Sequence, residues 1–349
     1  MNDPKRNFRT PKVRLVGGVR IAHRGCSGDH GDNTAAAFAA AIGGGHAIET
    51  DVRMTEDGVL VLVHDETVGG VPVERLMFDR LRELDGQVVA LRELLRRCSG
   101  GDVLLVLDVK YRGVGRRPGA VEQAVIDELA HAGRLGRTAD GLTMVSSFSP
   151  ACLVEFEERD PAIPRLQILE SLRRSPDRAA AAATDILEIV RDHAVGIVPD
   201  VTDLERVTWV RLARERGLGV FPYPPVIIET RDGHRLATDA IIAARCDGGH
   251  FNYPEMYGPP PVNAPTPTQA MRAFLAAQQR KVAFRSVLFR TRGSVARLAA
   301  LLVAYGEGGE LSVADLDNAA AYERLPSDQA TSVRERCAQL IAARLNQQA

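Results

Sequence analysis

The chain has 349 residues, of which 45% are apolar, and its 44 basic and 45 acidic side chains leave a formal net charge of −1. This length suits one large domain with an extension, and the balanced charge gives no global attraction to nucleic acid or to an anionic membrane, so we expect no nucleic-acid partner. Five scattered cysteines without a CxxC pair, no apolar segment of signal-peptide length near residue 1 and no run of about 18 apolar residues predict a cytoplasmic protein without a membrane span.

Short apolar runs alternate with helical patterns behind a basic N-terminal arm, residues 1–18. We predict strands over 19–23, 47–52, 59–64, 102–109, 142–147, 165–169, 194–199, 218–223 and 248–252. We predict helices over 33–43, 88–98, 120–133, 149–160 and 204–217, the first capped by Asp32 or Asn33 and the fourth by Ser149. This alternation predicts parallel strands, and about eight units over 19–257 favour a (β/α)₈ barrel. A doubly wound open sheet is the alternative, although no GxGxxG or P-loop pattern follows a strand.

The last 92 residues, 258–349, have a different composition. Residues 258–269 are Pro-rich and predict a linker, and residues 270–349 read as an Ala/Leu/Arg-rich helical extension. The first helix of this extension is basic, which suits a solvated face, a contact with an anionic surface, or a homo-oligomer formed through the C-terminal helices.

Charged residues stand where apolar strands end. Glu49 and Asp51 are two residues apart on one strand, so their side chains share a face. Two converging carboxylates repel unless a cation or proton lies between them, and oxygen ligands favour Mg²⁺ or Ca²⁺. Two solvated carboxylates, or an ion pair with Arg53, are the alternatives. Asp108 and Lys110 repeat the pattern on another strand. Asp108 is a candidate third metal ligand and Lys110 a candidate anion contact; the alternative is that the two form a simple ion pair.

Two histidines end apolar strands, and each precedes a charged residue. His23 is followed by Arg24, and His64 by Asp65. Two histidines beside a carboxylate cluster suit a general acid and a general base, and an arginine can bind a phosphate through two hydrogen bonds.

In their order, these residues resemble the glycerophosphodiester phosphodiesterase family. That family's pattern runs His-Arg-Gly, Pro-Glu-Asn-Thr, Glu-x-Asp-Val, Thr-x-Asp-Gly and His-Asp, and this chain has AHRG at 22–25, DNT at 32–34 and ETDVRMTEDGVLVLVHD at 49–65. Weaker matches follow at 107–110, 146–148, 218–223 and 246–254.

The resemblance implies a TIM barrel that hydrolyses phosphodiesters with one divalent cation. It implies His23 and His64 as acid and base, Arg24 and Lys110 as phosphate contacts, and Glu49, Asp51 and Asp108 as metal ligands, with Asp108 replacing the usual glutamate. The chain departs from the family at Gly31-Asp32, which replaces Pro-Glu, and at four further residues that we assign to a substrate pocket: Phe221, Tyr223, His250 and Asn252. These last departures predict an alcohol larger or less polar than glycerol, such as a lipid or an unusual sugar, and poor turnover of glycerophosphocholine and its short relatives.

Three functional hypotheses remain at the level of sequence. The first is a metal-dependent hydrolase of a small-molecule or lipid phosphodiester that resembles a glycerophosphodiester. The second is a lyase or transferase that acts on a specialised lipid or sugar phosphodiester and releases a cyclic phosphate. The third is an inactive barrel that binds phosphate or serves as a scaffold.

Overall fold

A computed structural model describes residues 18–110, 119–135, 141–169, 171, 186–187, 190–204, 209–224, 230–257 and 264–282. The predicted N-terminal arm before residue 18, residues 258–263 of the predicted linker and residues 283–349 of the predicted extension lie outside the described residues.

The described part of the chain has twelve strands. They are β1 Val19–Ala22, β2 Ala47–Met54, β3 Leu60–Leu62, β4 Thr67–Val68, β5 Val71–Pro72, β6 Val89–Ala90, β7 Leu104–Val109, β8 Leu142–Ser147, β9 Arg165–Ile168, β10 Gly196–Val198, β11 Gly219–Val220 and β12 Gly248–Phe251.

Eight of these strands form one parallel sheet in the order β11-β10-β9-β8-β7-β2-β1-β12. The two outer strands of this order also bond to each other, because the backbone N–H of Asp247 donates to Val220 O (3.0 Å) and that of His250 to Pro222 O (2.9 Å). The sheet therefore closes on itself and leaves no free edge. Every residue of β2 and β7 is buried, as expected for strands covered on both faces. The predicted (β/α)₈ TIM barrel is thus confirmed.

The predicted strand over 59–64 is not a barrel strand. It becomes β3, which pairs antiparallel with the far end of β2, Val52 opposite Leu62. The connecting turn contains Gly58 at φ +82°, a backbone angle that glycine adopts without strain, and Thr55 accepts a hydrogen bond from the Val59 N–H (3.0 Å). The hairpin carries the chain beyond the barrel and returns His64 toward the end of β2.

The described helices are α1 Ser27–His30, α2 Ala35–Gly43, α3 Phe78–Leu84, α4 Leu91–Arg97, α5 Ala120–His131, α6 Pro150–Arg159, α7 Trp209–Glu215, α8 Arg231–Ala243 and α9 Pro267–Val282. Ser149 caps α6 as predicted, accepting a hydrogen bond from the Cys152 N–H. The cap of α2 is Thr34 rather than Asp32 or Asn33, because the Thr34 hydroxyl accepts from the Ala37 N–H (3.1 Å).

Helix α9 closes the amino-terminal end of the barrel. Met271 is fully buried there, and the Phe274 ring packs edge-to-face on Phe221 with centroids 5.8 Å apart. Arg272 donates to Gly141 O (2.8 Å), in the residue before β8. The helix begins at Pro267, inside the predicted linker, and its buried face belongs to the barrel core. Among the described helices, none is long and apolar enough to cross a membrane. The cytoplasmic location and the homo-oligomer stay predictions.

Candidate active site

Three buried carboxylates lie together at the carboxyl-terminal end of the barrel strands, where barrel active sites are found. Glu49 and Asp51 come from β2, and Asp108 comes from β7 directly opposite Asp51. All three are buried, and one oxygen from each lies within 4.8 Å of the other two. The structure thus brings Glu49, Asp51 and Asp108 together at the strand ends.

Two cationic side chains contact the same carboxylates. Lys110 Nζ lies 2.8 Å from Asp51 Oδ1 and also contacts Asp108 Oδ2. Arg24 Nε lies 3.2 Å from Asp51 Oδ2, and the guanidinium also pairs with Asp32. Against the effect of burial, these carboxylates raise the pKa of both cations, which therefore remain charged.

The three carboxyl groups differ in how easily they ionise. Burial, and then the charges of Asp51 and Asp108, hold the pKa of Glu49 well above its usual value. Burial also raises the pKa of Asp108, whereas Lys110 and Arg24 overcome burial and lower that of Asp51. Mutual repulsion of this kind is what a shared cation relieves.

The donor set fits a divalent metal ion. All three groups offer oxygen, which Mg²⁺ and Ca²⁺ prefer, and Asp108 Oδ1 is buried without a hydrogen-bond partner. A buried oxygen of this kind is available as a ligand. Arg53, the sequence-based alternative partner of Glu49 and Asp51, turns away from the cluster and pairs with Glu74 (3.0 Å).

His23 follows β1 and faces the cluster. Its Nδ1 lies 2.7 Å from the Asn252 side-chain oxygen, which only accepts hydrogen bonds, so Nδ1 carries the hydrogen and Nε2 is left with a lone pair. Nε2 lies 4.0 Å from Glu49 Oε2. Burial, and then the charges of Arg24 and His250, hold the pKa of His23 well below its usual value, so the ring is neutral.

His64 lies just beyond β3, in a more open position. Its side chain is 36% exposed, and its Nδ1 lies 2.9 Å from a carboxylate oxygen of Asp65, which is itself on the surface. A carboxylate only accepts hydrogen bonds, so Nδ1 of His64 carries a hydrogen that it donates to Asp65. The two predicted histidines therefore stand in contrasting environments.

The loop after β1 has an unusual backbone that depends on Asn33, a residue that the sequence analysis did not assign to the site. Arg24 and Asn33 both have positive φ, at 55° and 56°. The Asn33 side chain donates to Asp51 Oδ2 (2.8 Å) and accepts from the Thr50 hydroxyl (2.8 Å), and its backbone N–H donates to Arg24 O (3.0 Å). Asn33 therefore fixes both the carboxylate of Asp51 and the Arg24 loop. The DNT motif was the available signal.

Of the four proposed pocket residues, Phe221 does not belong to a pocket. Its ring is 1% exposed and packs in the core against α9, so it cannot present a face to a substrate. His250 is also buried; its Nδ1 donates to Phe221 O (3.0 Å), and its ring centroid lies 6.3 Å from that of His23. Asn252 reaches His23 as described above. Tyr223 is half-buried and donates to Leu169 O (3.3 Å).

An aromatic residue beside the cluster was quoted in the sequence motifs but not assigned to the site. Phe148 follows β8 and is 42% exposed. Lys110 Nζ lies 5.8 Å from the centroid of its ring, and the Tyr223 ring packs edge-to-face on it at 6.3 Å. Phe148 and Tyr223 thus form an aromatic wall next to the lysine.

Comparison with known proteins agrees with this geometry. A family model described as the glycerophosphoryl diester phosphodiesterase family matches residues 23–227, more than half of the chain. The chain is 28% identical to a glycerophosphodiester phosphodiesterase of Bacillus subtilis (strain 168) over 266 residues, which cover 68% of this chain and 85% of that protein. It is 35% identical to human glycerophosphodiester phosphodiesterase 1 over 109 residues, 26% of this chain and 33% of the human one.

Solved structures show the same fold. The glycerophosphodiester phosphodiesterase of Thermotoga maritima superimposes with a TM-score of 0.52 at 21% identity, covering 69% of this chain and 96% of that one. A phosphodiesterase of Oleispira antarctica, solved in complex with its product sn-glycerol-3-phosphate, gives a TM-score of 0.52 at 20% identity and covers 68% and 94%.

Proposed function

The chain belongs to the glycerophosphoryl diester phosphodiesterase family, and we propose that this phosphoric diester hydrolase cleaves glycerophosphodiesters with one divalent cation, with His23 as general base and His64 as general acid. The observation that carries the proposal is the cluster of three buried carboxylates, with oxygens within 4.8 Å of one another, with two cations in contact with it and the two histidines nearby. This complete set, together with family membership, speaks against the inactive-scaffold hypothesis.

Glu49, Asp51 and Asp108 would hold the cation, Mg²⁺ or Ca²⁺. When bound, such an ion withdraws charge from the non-bridging oxygens of a phosphate as a Lewis acid. Arg24 and Lys110 bind the same phosphate and stabilise the negative charge that develops in the transition state. Both residues keep their positive charge at neutral pH, because the surrounding carboxylates raise their pKa.

The histidine roles follow from their surroundings. The lone pair on His23 Nε2 takes a proton from the attacking water, because Asn252 holds the hydrogen on Nδ1 and the lowered pKa keeps the ring neutral. His64 is the proposed donor of a proton to the leaving alkoxide, because its Nδ1 is held by the Asp65 carboxylate and its ring lies in the more open position, where a leaving group can reach it. In this proposal the two histidines act in opposite directions: His23 removes a proton and His64 donates one.

The proposed substrate is a glycerophosphodiester rather than an unusual lipid. The expectation of poor glycerophosphocholine turnover rested on four departures, and two of these residues, Phe221 and His250, are buried in the barrel. Neither of these two side chains is exposed to a substrate. The wall of Phe148 and Tyr223 beside Lys110 is where an alcohol group attached to the phosphate would lie.

Two substrates test the proposal. On glycerophosphocholine, which has a poor leaving group, His23→Ala and His64→Ala are each expected to lower kcat by about 10²-fold or more, the usual scale for an acid or a base. On a glycerol p-nitrophenyl phosphodiester, whose leaving group needs no proton, His64→Ala should recover most of its activity and His23→Ala should not. EDTA should abolish turnover of both substrates.

Phosphorus NMR of the products separates hydrolysis from cyclic-phosphate release. Glycerol phosphate as the first product agrees with the proposal, and a cyclic phosphate that accumulates first would favour the lyase hypothesis. Full activity in EDTA, or unchanged kcat in both histidine variants, would refute the proposed mechanism.

A further inference from the structure

A buried arginine outside the carboxylate cluster holds the backbone of one of the two histidines. Arg53 lies on β2, two residues after Asp51, and is 6% exposed. Its Nε and Nη2 both donate to the carbonyl oxygen of His64, at 3.2 and 2.9 Å. Its Nη1 contacts Glu74 Oε1 at 3.0 Å. The planar guanidinium thus joins the strand of the metal ligands to the segment that carries His64.

This arrangement has a physical reason in the local backbone. Strand β3 ends at Leu62, so His64 lies past the last ladder position that pairs with β2. Its side chain is 36% exposed, and its partner Asp65 is 79% exposed, so neither group is confined by packing. Two hydrogen bonds from a charged, buried donor can replace the missing ladder and fix the main chain at this position.

Burying a guanidinium is expensive unless it is paired and hydrogen-bonded. At Arg53 the pairing is complete on one side through Glu74 and on the other through the His64 carbonyl. A lysine could not make the same three contacts, two to the His64 carbonyl oxygen and one to Glu74, because its ammonium is a single point charge on a flexible stem.

We propose that Arg53 is a positioning residue for His64, and that Glu74 orients Arg53 for this purpose. The inference rests on the proposed role of His64 as the general acid. It assigns to Arg53 no contact with substrate or metal. Without the two hydrogen bonds from Arg53, the His64 segment can move. A displacement of about 1 Å at a catalytic group can lower a rate by about 10²-fold.

The test compares Arg53→Lys, Glu74→Gln and His64→Ala on the two substrates. On glycerophosphocholine, Arg53→Lys should lower kcat by about 10- to 100-fold with little change in KM, and Glu74→Gln should have a smaller effect in the same direction. On the p-nitrophenyl ester both effects should largely disappear. The double variant of Arg53→Lys with His64→Ala should be no slower than His64→Ala alone, because both changes remove the same function.

Arg165→Lys is the matched control. Arg165 is another buried arginine that donates to backbone carbonyls, those of His193 (2.7 Å) and Ile163 (2.8 Å), but it lies at the first residue of β9, at the opposite end of the barrel. Its substitution should lower thermal stability without changing the ratio of activities on the two substrates. Calorimetric titration with Mg²⁺ should give the same affinity in Arg53→Lys as in the unchanged protein, showing that Asp51 is undisturbed.

Four results would overturn the inference. Equal losses on both substrates would mean that Arg53 supports the whole site, and additive losses in the double variant would mean that it acts independently of His64. Unchanged kcat in Arg53→Lys and Glu74→Gln, beside a leaving-group-dependent loss in His64→Ala, would refute the inference alone. If His64→Ala itself shows no loss, the proposed acid role fails and the inference fails with it.

Discussion

Replacing Phe221 by alanine is expected to destabilise the barrel and to leave catalysis by the folded protein nearly unchanged. The ring is 1% exposed and fits a space made by small residues of the last strands. A Cβ atom added at Gly219 or Gly248 would lie only 2.7 or 2.9 Å from it. The ring also meets Phe274 of α9, edge-to-face at 5.8 Å. Phe221 therefore links the barrel wall to the helix that closes the barrel.

The magnitude follows from this burial. Truncating a fully buried phenylalanine to alanine costs about 3–5 kcal/mol. For a domain of this size about 1 kcal/mol corresponds to roughly 2–4 °C in Tm, so Phe221→Ala should lower Tm by about 6–20 °C. Differential scanning calorimetry measures this shift, and kcat/KM on glycerophosphocholine is measured well below the new Tm.

Phe148→Ala is the matched control, because the Phe148 ring is 42% exposed beside Lys110. It should change Tm little and raise KM. If Phe221→Ala instead raised KM at an unchanged Tm, Phe221 would contact the substrate and its placement in the core would be wrong.

Three further predictions concern the metal, the pH dependence of stability and a helix cap. Asp51→Asn should abolish Mg²⁺ binding by calorimetry and leave the circular dichroism spectrum unchanged, whereas the exposed Asp79→Asn should bind normally; retained binding in Asp51→Asn would contradict the ligand assignment. Burial, and then the charge of Arg20, lower the pKa of His46 to about 4. Between about pH 6.5 and 4 the imidazole of His46 is therefore protonated in the unfolded chain but not in the folded one, and the free energy of unfolding decreases as the pH falls. In urea unfolding over that pH window, the free energy of unfolding of His46→Gln should decrease by about 1.4 kcal/mol less per pH unit than that of the unchanged protein. Equal pH dependence in the two proteins would refute the effect. Thr34→Ala removes the cap of α2 and should lower the free energy of unfolding by about 1 kcal/mol, against almost nothing for the exposed Thr67→Ala.

The parts of the site that the sequence could predict are those fixed by strand periodicity. Glu49 and Asp51 share a face because side chains alternate along a strand, and His23 ends a strand of the same parallel sheet. An apolar run, however, does not state which way its strand pairs. The run over 59–64 therefore stood among the strand candidates without a pairing direction, and the tight turn at Gly58 makes it the second strand of a hairpin.

The depth of a side chain within the barrel was the other feature beyond reach of the sequence. Phe221 and Tyr223 are two residues apart, yet one packs in the core against α9 and the other lies half-buried beside Phe148. The difference depends on Phe274, more than fifty positions along the chain, which gives the Phe221 ring its partner. Asn33 was overlooked for a related reason, because an asparagine before a helix is an ordinary cap unless its distant partner, Asp51, is known.

The lengths of the three carboxylate side chains follow from the sheet register. Asp51 and Asp108 are paired positions on neighbouring parallel strands, which lie about 4.8 Å apart, so two short side chains at one level can reach the same ion. Glu49 lies two residues earlier on β2, about 6.6 Å back along the strand at a rise of about 3.3 Å per residue, and its extra methylene carries its carboxylate part of the way toward that level. An aspartate at position 108 in place of the glutamate of the family pattern is therefore compatible with a shared ion, because its register with Asp51 already brings its carboxylate to the cluster.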